Sequence, residues 1–121
     1  MELQRLPYEL TVCKVKSVND IDLSGEFFFV GKTAEEISLV CPTAAAPVNT
    51  VAREDGWKGF KICGVLDFSL VGILADISNV LSKCGISIFA LSTYNTDYIL
   101  VKEENFDKAA AALIRHGYGV I

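Results

Sequence analysis

The stretch Asp67-Phe68-Ser69-Leu70-Val71-Gly72-Ile73 combines residue types that can hold a small charged molecule. If a strand ends before it and a helix begins within it, the first N–H groups of that helix point outward and carry partial positive charge. Such groups bind carboxylates or phosphates. Gly72 has no side chain, so a ligand can approach the backbone there. Asp67 adds a carboxylate able to meet an ammonium. A carboxylate receptor beside an ammonium receptor is what a free α-amino acid requires. The same residues also suit an ordinary helix cap at Asp67 or Ser69 with close packing at Gly72.

Other chemistry is hard to assemble. The sequence has no Gly-x-Ser-x-Gly, Walker loop or Gly-x-Gly-x-x-Gly. The acidic pairs Glu35-Glu36, Glu54-Asp55 and Glu103-Glu104 are neighbours whose side chains point apart, as solvated surface does. His116, the single histidine, falls in the last turn of an expected helix, where a partly cationic ring suits the dipole. The four cysteines include no Cys-x-x-Cys pair and each lies in an apolar segment, so buried reduced thiols are expected and no metal site or cofactor. These observations point away from an enzyme. Eleven basic against fifteen acidic residues, a net charge of −4 and no basic run argue against a nucleic-acid partner. No apolar run is long enough to span a membrane. The start, Met1-Glu2-Leu3-Gln4-Arg5, is polar and lacks a signal-type core, which suggests a cytoplasmic protein.

The elements that must position the candidate stretch read most cleanly in the second half. Phe60–Leu66 is short and β-rich, a strand. Leu70, Leu74, Ile77, Leu81 and Cys84 then follow at helical steps, and Gly85 supplies the stop. Ile86–Ser92 and Tyr98–Lys102 are strands joined through Thr93-Tyr94-Asn95-Thr96-Asp97, a turn rich in locally bonding side chains. Phe106, Ala109, Ala110, Leu113 and Ile114 mark a second helix, Gly117 ends it, and Tyr118–Ile121 adds a strand. The order is βαββαβ, the split βαβ arrangement of ferredoxin-like folds, an α+β class. Its strands are apolar on both sides, so the sheet face away from the helices needs a cover.

The first half is the candidate cover. Strands are expected at Tyr8–Cys13, Phe27–Val30 and Glu36–Cys41, with Gly31–Glu35 as a hairpin connection. Sliding this half onto the second at a spacing of 61 sets Phe28 on Phe89, Glu36 on Asp97, Leu39 on Leu100 and Val40 on Val101. Between its first two strands this copy is shorter, room for a turn where the second has a helix. Pro42–Gly59, with two prolines and Asp55-Gly56, reads as an irregular connector. Trp57 suits core or inter-lobe packing. The expected division is residues 1–56 as an abbreviated lobe with its connector and residues 57–121 as the complete domain.

Phe60–Ile121 resembles an ACT domain, a small regulatory module that binds amino acids in many biosynthetic enzymes. Leu66–Asp76 is similar to the family's first loop and helix. Gly85–Val101 resembles the tandem-ACT subclass, which includes aspartokinase regulatory regions and CASTOR-type cytosolic arginine sensors. The N-terminal half resembles small bacterial proteins of that subclass whose first ACT-like lobe is abbreviated. The resemblance implies an allosteric amino-acid-binding regulatory or sensor protein with its ligand between two segments. Asp67, Phe68, Ser69, Leu70, Val71, Gly72 and Ile73 would read the backbone of the amino acid; Ser92, Thr93, Tyr94, Asn95 and Asp97 would read its side chain. Asp97 matches a position that can meet a cationic side chain, so a cationic amino acid is among the candidate ligands. The family's kinase domain is absent, so a signal would pass through homodimer assembly or to a regulated protein partner. The alternative is an interaction module that keeps the ACT fold without a ligand.

Overall fold

The computed structural model describes residues 1–63 and 72–121. Its elements are β1 (Glu2–Arg5), β2 (Leu10–Val15), β3 (Phe29–Lys32), β4 (Ile37–Pro42), β5 (Ala52–Ile62), α1 (Ile73–Lys83), β6 (Phe89–Ser92), β7 (Asp97–Lys102), α2 (Phe106–Arg115) and β8 (Gly119–Val120). Short 3-10 turns occur at Val18–Asp20, Thr43–Ala45 and Glu103–Asn105. The fold is α+β, as the sequence leads one to expect. The chain divides into two compact units, Tyr8–Trp57 (the N-terminal unit) and Met1–Pro7 with Lys58–Ile121 (the C-terminal unit). The start of the chain therefore belongs with its end and not with residues 8–57. No described helix is long and apolar enough to cross a membrane.

The C-terminal unit has strands in the order β8-β1-β5-β7-β6. Without β1 this is the 4-1-3-2 order of a ferredoxin-like βαββαβ unit. β1 is inserted between the first and last strands of that pattern. It runs antiparallel to β5, with Leu3 opposite Ile62 and Arg5 opposite Phe60. It runs parallel to β8, with Leu3 opposite Val120. The sequence gives little sign of this strand, because Glu2, Gln4 and Arg5 are exposed and only Leu3 is buried.

Leu3 joins a core built from Phe60 and Ile62 of β5, Ile77 and Leu81 of α1, Ile99 and Val101 of β7, and Ala109, Ala110 and Leu113 of α2. The α1 and α2 residues are those of the two expected helical stripes. The Phe60 and Phe106 rings stack with centroids 4.7 Å apart, and the Lys58 ammonium lies 5.2 Å from the Phe106 centroid. Gly85 and Gly117 follow the helices with positive φ, as helix-ending glycines do.

The N-terminal unit has the order β3-β4-β2-β5, with all neighbours antiparallel. That too is 4-1-3-2 read from the other edge, with 3-10 turns where the C-terminal unit has helices. The expected irregular connector is corrected here. Only Thr43–Ala45 is a helical turn, and β5 already begins at Ala52. Asp55-Gly56, which looks like a turn, is a β-bulge within the strand. Leu10 faces Trp57 and Val12 faces Glu54, so two residues of β5 oppose Thr11 alone. Gly56 takes the left-handed φ of 82° that such a bulge needs. Thr11 is fully buried; its hydroxyl donates to Asp55 Oδ1 (2.7 Å) and lies 2.9 Å from the Thr43 hydroxyl.

Cys13 and Cys41 are buried free thiols and Cys63 and Cys84 are half-buried free thiols. Burial pushes the Cys41 thiol up to about 11. The N-terminal unit's apolar cluster holds Cys13, Val15, Ile21, Leu39 and Cys41.

The hairpins of the two units share one register at a spacing of 60. β3 and β4 start at Phe29 and Ile37, β6 and β7 at Phe89 and Asp97. Phe29 faces Val40 as Phe89 faces Leu100, and Lys32 faces Ile37 as Ser92 faces Asp97. The spacing of 61 is thus corrected by one residue. It aligned Leu39-Val40 with Leu100-Val101, whereas the fold aligns the turns.

Truncating Leu3 should cost about 2–5 kcal/mol, the range for a buried leucine cut to alanine. Urea unfolding of Leu3→Ala would measure it, and a cost below about 0.5 kcal/mol, typical of an exposed position, would show that β1 does not complete this core.

Candidate functional site

Of the sequence-nominated residues, Asp67, Phe68, Ser69, Leu70 and Val71 lie outside the described residues. The helix that follows begins at Ile73, later than the stripe starting at Leu70 implies. Its N-cap is Gly72, with φ 86° and no side-chain cap bond. The first helical bond runs from the Asp76 N–H to the Gly72 carbonyl at 2.8 Å. The amides of Ile73, Leu74 and Ala75 therefore precede the helical ladder and are the ones a carboxylate could meet. Gly72 is exposed, and among the described residues nothing lies within 4 Å of where a Cβ would stand. Its glycine serves the left-handed backbone, and its open side leaves room beside the helix start. Ile73 is half-buried and packs against the core, so its side chain anchors that start.

The second nominated segment is gathered by one hairpin. Ser92 pairs with Asp97. Between them the Thr93 N–H donates to the Thr96 carbonyl (2.9 Å) and the Thr93 hydroxyl donates to the same oxygen (3.0 Å). The Thr96 N–H reaches back to the Thr93 hydroxyl oxygen at 3.4 Å. This double closure is what a threonine at the start of a turn can supply. It leaves Ser92, Thr93, Tyr94 and Asn95 exposed and Asp97 half-buried.

Thr96, which the sequence reading left out of the site, is the turn's anchor. It is 3% exposed, and its hydroxyl donates to the Ile62 carbonyl at 2.7 Å. Ile62 ends β5, and the chain passes from Cys63 into the segment leading to Gly72. The turn is thus fixed to the end of β5. In sequence Thr96 looks like one more polar turn residue. The recurrence of a turn threonine at 33 and 93, where Thr33 closes onto Glu36, marks Thr93 and gives no sign of Thr96.

A second cluster fixes the first turn of α1. The Tyr118 hydroxyl donates to Asp76 Oδ2, and His116 Nε2 lies 3.4 Å from Asp76 Oδ1. The His116 and Tyr118 rings stack with centroids 6.0 Å apart. The Tyr118 bond holds the Asp76 carboxyl below its usual value, with His116 helping and burial opposing. Burial first, then the Asp76 bond, pushes Tyr118 up to about 12. His116 is the C-cap of α2, the helix-end place expected of it. A cavity of about 240 Å³ lies between the helices, lined by Asn79, Lys83, Arg115 and His116 among others. It sits toward the C-terminal end of α1, away from Gly72. Lys83 and Arg115 there stand in the last turns, where cations offset the helix dipoles. Among the described residues no group of three or more His, Cys, Asp or Glu side chains could hold a metal ion.

Comparison with known proteins gives one family match, to the ACT domain over residues 52–115. No curated protein matches. Solved structures that resemble the chain include a protein from Agobacterium tumefaciens, 28% identical with a TM-score of 0.87, covering 99% of this chain and 91% of that one. A Vibrio cholerae protein of unknown function, titled a possible transport protein, is 21% identical with a TM-score of 0.74, covering 94% and 88%. A structure of aspartokinase alpha and beta subunits is 14% identical with a TM-score of 0.64, covering 95% and 96%. At those last two identities the likeness is one of fold.

Replacing Thr96 with valine should cost about 1–3 kcal/mol, because a buried carbonyl loses its donor. Denaturant unfolding reads this directly; an unchanged midpoint would mean that the bond to Ile62 does not hold the turn.

Proposed function

Because the chain belongs to the ACT domain family, whose members are small regulatory modules, we propose that it is an amino-acid-binding regulatory or sensor protein and not an enzyme. The ligand's α-carboxylate meets the amides ahead of the α1 ladder, its ammonium meets Asp67, and its side chain is read by Ser92–Asp97. Asp97 favours a cationic side chain. The observation that carries this reading is the closed Thr93–Thr96 turn, tied through Thr96 to Ile62. A pre-formed turn at that point loses little freedom when a ligand binds.

Two further parts of the reading rest on the family. Residues 8–57 form an abbreviated ACT-like lobe, supported by their 4-1-3-2 strand order and the shared hairpin register. The chain acts in the cytoplasm as a homodimer. Ligand binding favours one arrangement, and that arrangement is passed to a protein partner.

A thermal-shift panel of free amino acids tests this. A ligand at 100 times its Kd adds about 2.7 kcal/mol of stability, a rise of several degrees. The expected result is a shift with one or a few amino acids. For lysine or arginine the shift shrinks in Asp97→Ala. Absence of any shift across the panel favours the ligand-free interaction module instead.

A further inference from the structure

Cys13 and Cys41 are far apart in sequence but stand on adjacent antiparallel strands of the N-terminal unit, β2 and β4. Thr11 pairs with Cys41, and Cys13 pairs with Leu39. Directly opposite residues share a face of the sheet, and so do residues two apart on one strand. Thr11, Cys13, Leu39 and Cys41 therefore lie on one face, with the two cysteines as diagonal neighbours. Both thiols belong to one apolar cluster with Val15, Ile21 and Leu39, and they are 4% and 3% exposed. Their closeness has an electrostatic sign: after burial, the Cys13 thiol is the next cause that pushes Cys41 up.

The diagonal spacing decides what such a pair can do. Diagonal neighbours on antiparallel strands are about 7–8 Å apart, their Cβ atoms somewhat closer. A disulfide needs Cα atoms about 4.4–6.8 Å apart, so this pair does not close one without moving a strand. Two metal–thiolate bonds of about 2.3 Å laid end to end hold the sulfurs about 4.6 Å apart, roughly 2.5 Å more than a disulfide does. A bridging ion thus fits a spacing that a direct sulfur–sulfur bond does not. Among the described residues no third His, Cys, Asp or Glu completes a larger donor set. That rules against zinc, which takes four donors. It suits a soft ion that accepts two ligands in line, and thiolates select Cu(I). Two thiolates with one Cu(I) carry a net charge of −1. Arg53 of β5 faces Cys13, and its charge favours the thiolate form of both cysteines against burial. Asp55 holds that guanidinium at 2.8 Å and offsets part of its charge. Arg53 and Asp55 are both partly exposed, so the cluster borders solvent on their side.

We propose that Cys13 and Cys41 form a two-coordinate site for the soft monovalent ion Cu(I). On binding, both S–H bonds break, two copper–sulfur bonds form and two protons pass to solvent, with no change of oxidation state. Val15, Ile21 and Leu39 give the ion an apolar surround, and the ion ties β2 to β4. The inference does not depend on an amino acid at Ser92–Asp97, and failure of either reading leaves the other standing.

Anaerobic titration of the reduced full chain with Cu(I), in competition with a coloured Cu(I) chelator, tests it. The chain should withhold one Cu(I), and an excess of Zn(II) should not displace it. Cys13→Ala and Cys41→Ala should each lose that copper, whereas Cys63→Ala and Cys84→Ala should keep it. Arg53→Gln should weaken binding by about 10-fold, as loss of a neighbour to the ligands does. X-ray absorption at the copper edge of the loaded wild-type chain needs no variant to fold, and it should show two sulfur neighbours. The proposal is overturned by any of three results. One is that no copper is withheld from the chelator. Another is copper that survives Cys13→Ala and Cys41→Ala, or that is lost in Cys63→Ala or Cys84→Ala. The third is a copper ion with three or four sulfur neighbours, which would place it on other thiols or between chains.

Discussion

Glu2–Arg5 is hydrogen-bonded along both edges, and the order of the C-terminal unit follows from that. On one side the Cys63 N–H donates to the Glu2 carbonyl. On the other the Gly119 N–H donates to Met1, the Ile121 N–H to Leu3, and the Arg5 N–H to Ile121. β8 is two residues long, too short to hold its place by its own side chains. It is held by β1, which also secures the end of β5 at Ile62 and Cys63. Ile62 in turn receives the Thr96 hydroxyl, which sets the turn that carries Asp97. One chain of contacts thus runs from the first residues to the proposed site.

The two hairpins show how one backbone can present different chemistry. Both close by a threonine that bonds to the residue three positions on. Glu35 and Glu36 occupy the positions of Asn95 and Thr96, and Ile37 occupies that of Asp97. Where the C-terminal turn buries a threonine hydroxyl to tie itself down, the N-terminal turn exposes Glu35 and Glu36.

What the sequence revealed depended on how strongly each element patterns its residues. The helical stripes around Leu74, Ile77 and Leu81 and around Ala109, Ala110 and Leu113 were legible, because a buried helix face repeats apolar residues at fixed steps. The hairpin strands were legible to within a few residues. β1 was not, because one buried leucine among three exposed polar residues makes no periodicity. The early half of β5 was hidden by Asp55-Gly56, since a bulge uses the same residues as a turn. The repeat was seen one residue out of register, because Leu39-Val40 and Leu100-Val101 match by type while hydrogen bonding follows Thr33 and Thr93. At the site Asp97 and the turn were visible, but the role of Thr96 was not: burial of one hydroxyl against Ile62 is a tertiary fact.

An amino acid is proposed to be read by the Thr93–Thr96 turn together with the start of α1. The direct measurement is a two-dimensional amide NMR titration of the full chain with whichever amino acid stabilises it. The largest shift changes are expected at Thr93–Asp97 and at the amides of Ile73–Ala75. Changes centred on Asn79, Arg115 and His116 between the helices, with the turn resonances unmoved, would contradict it.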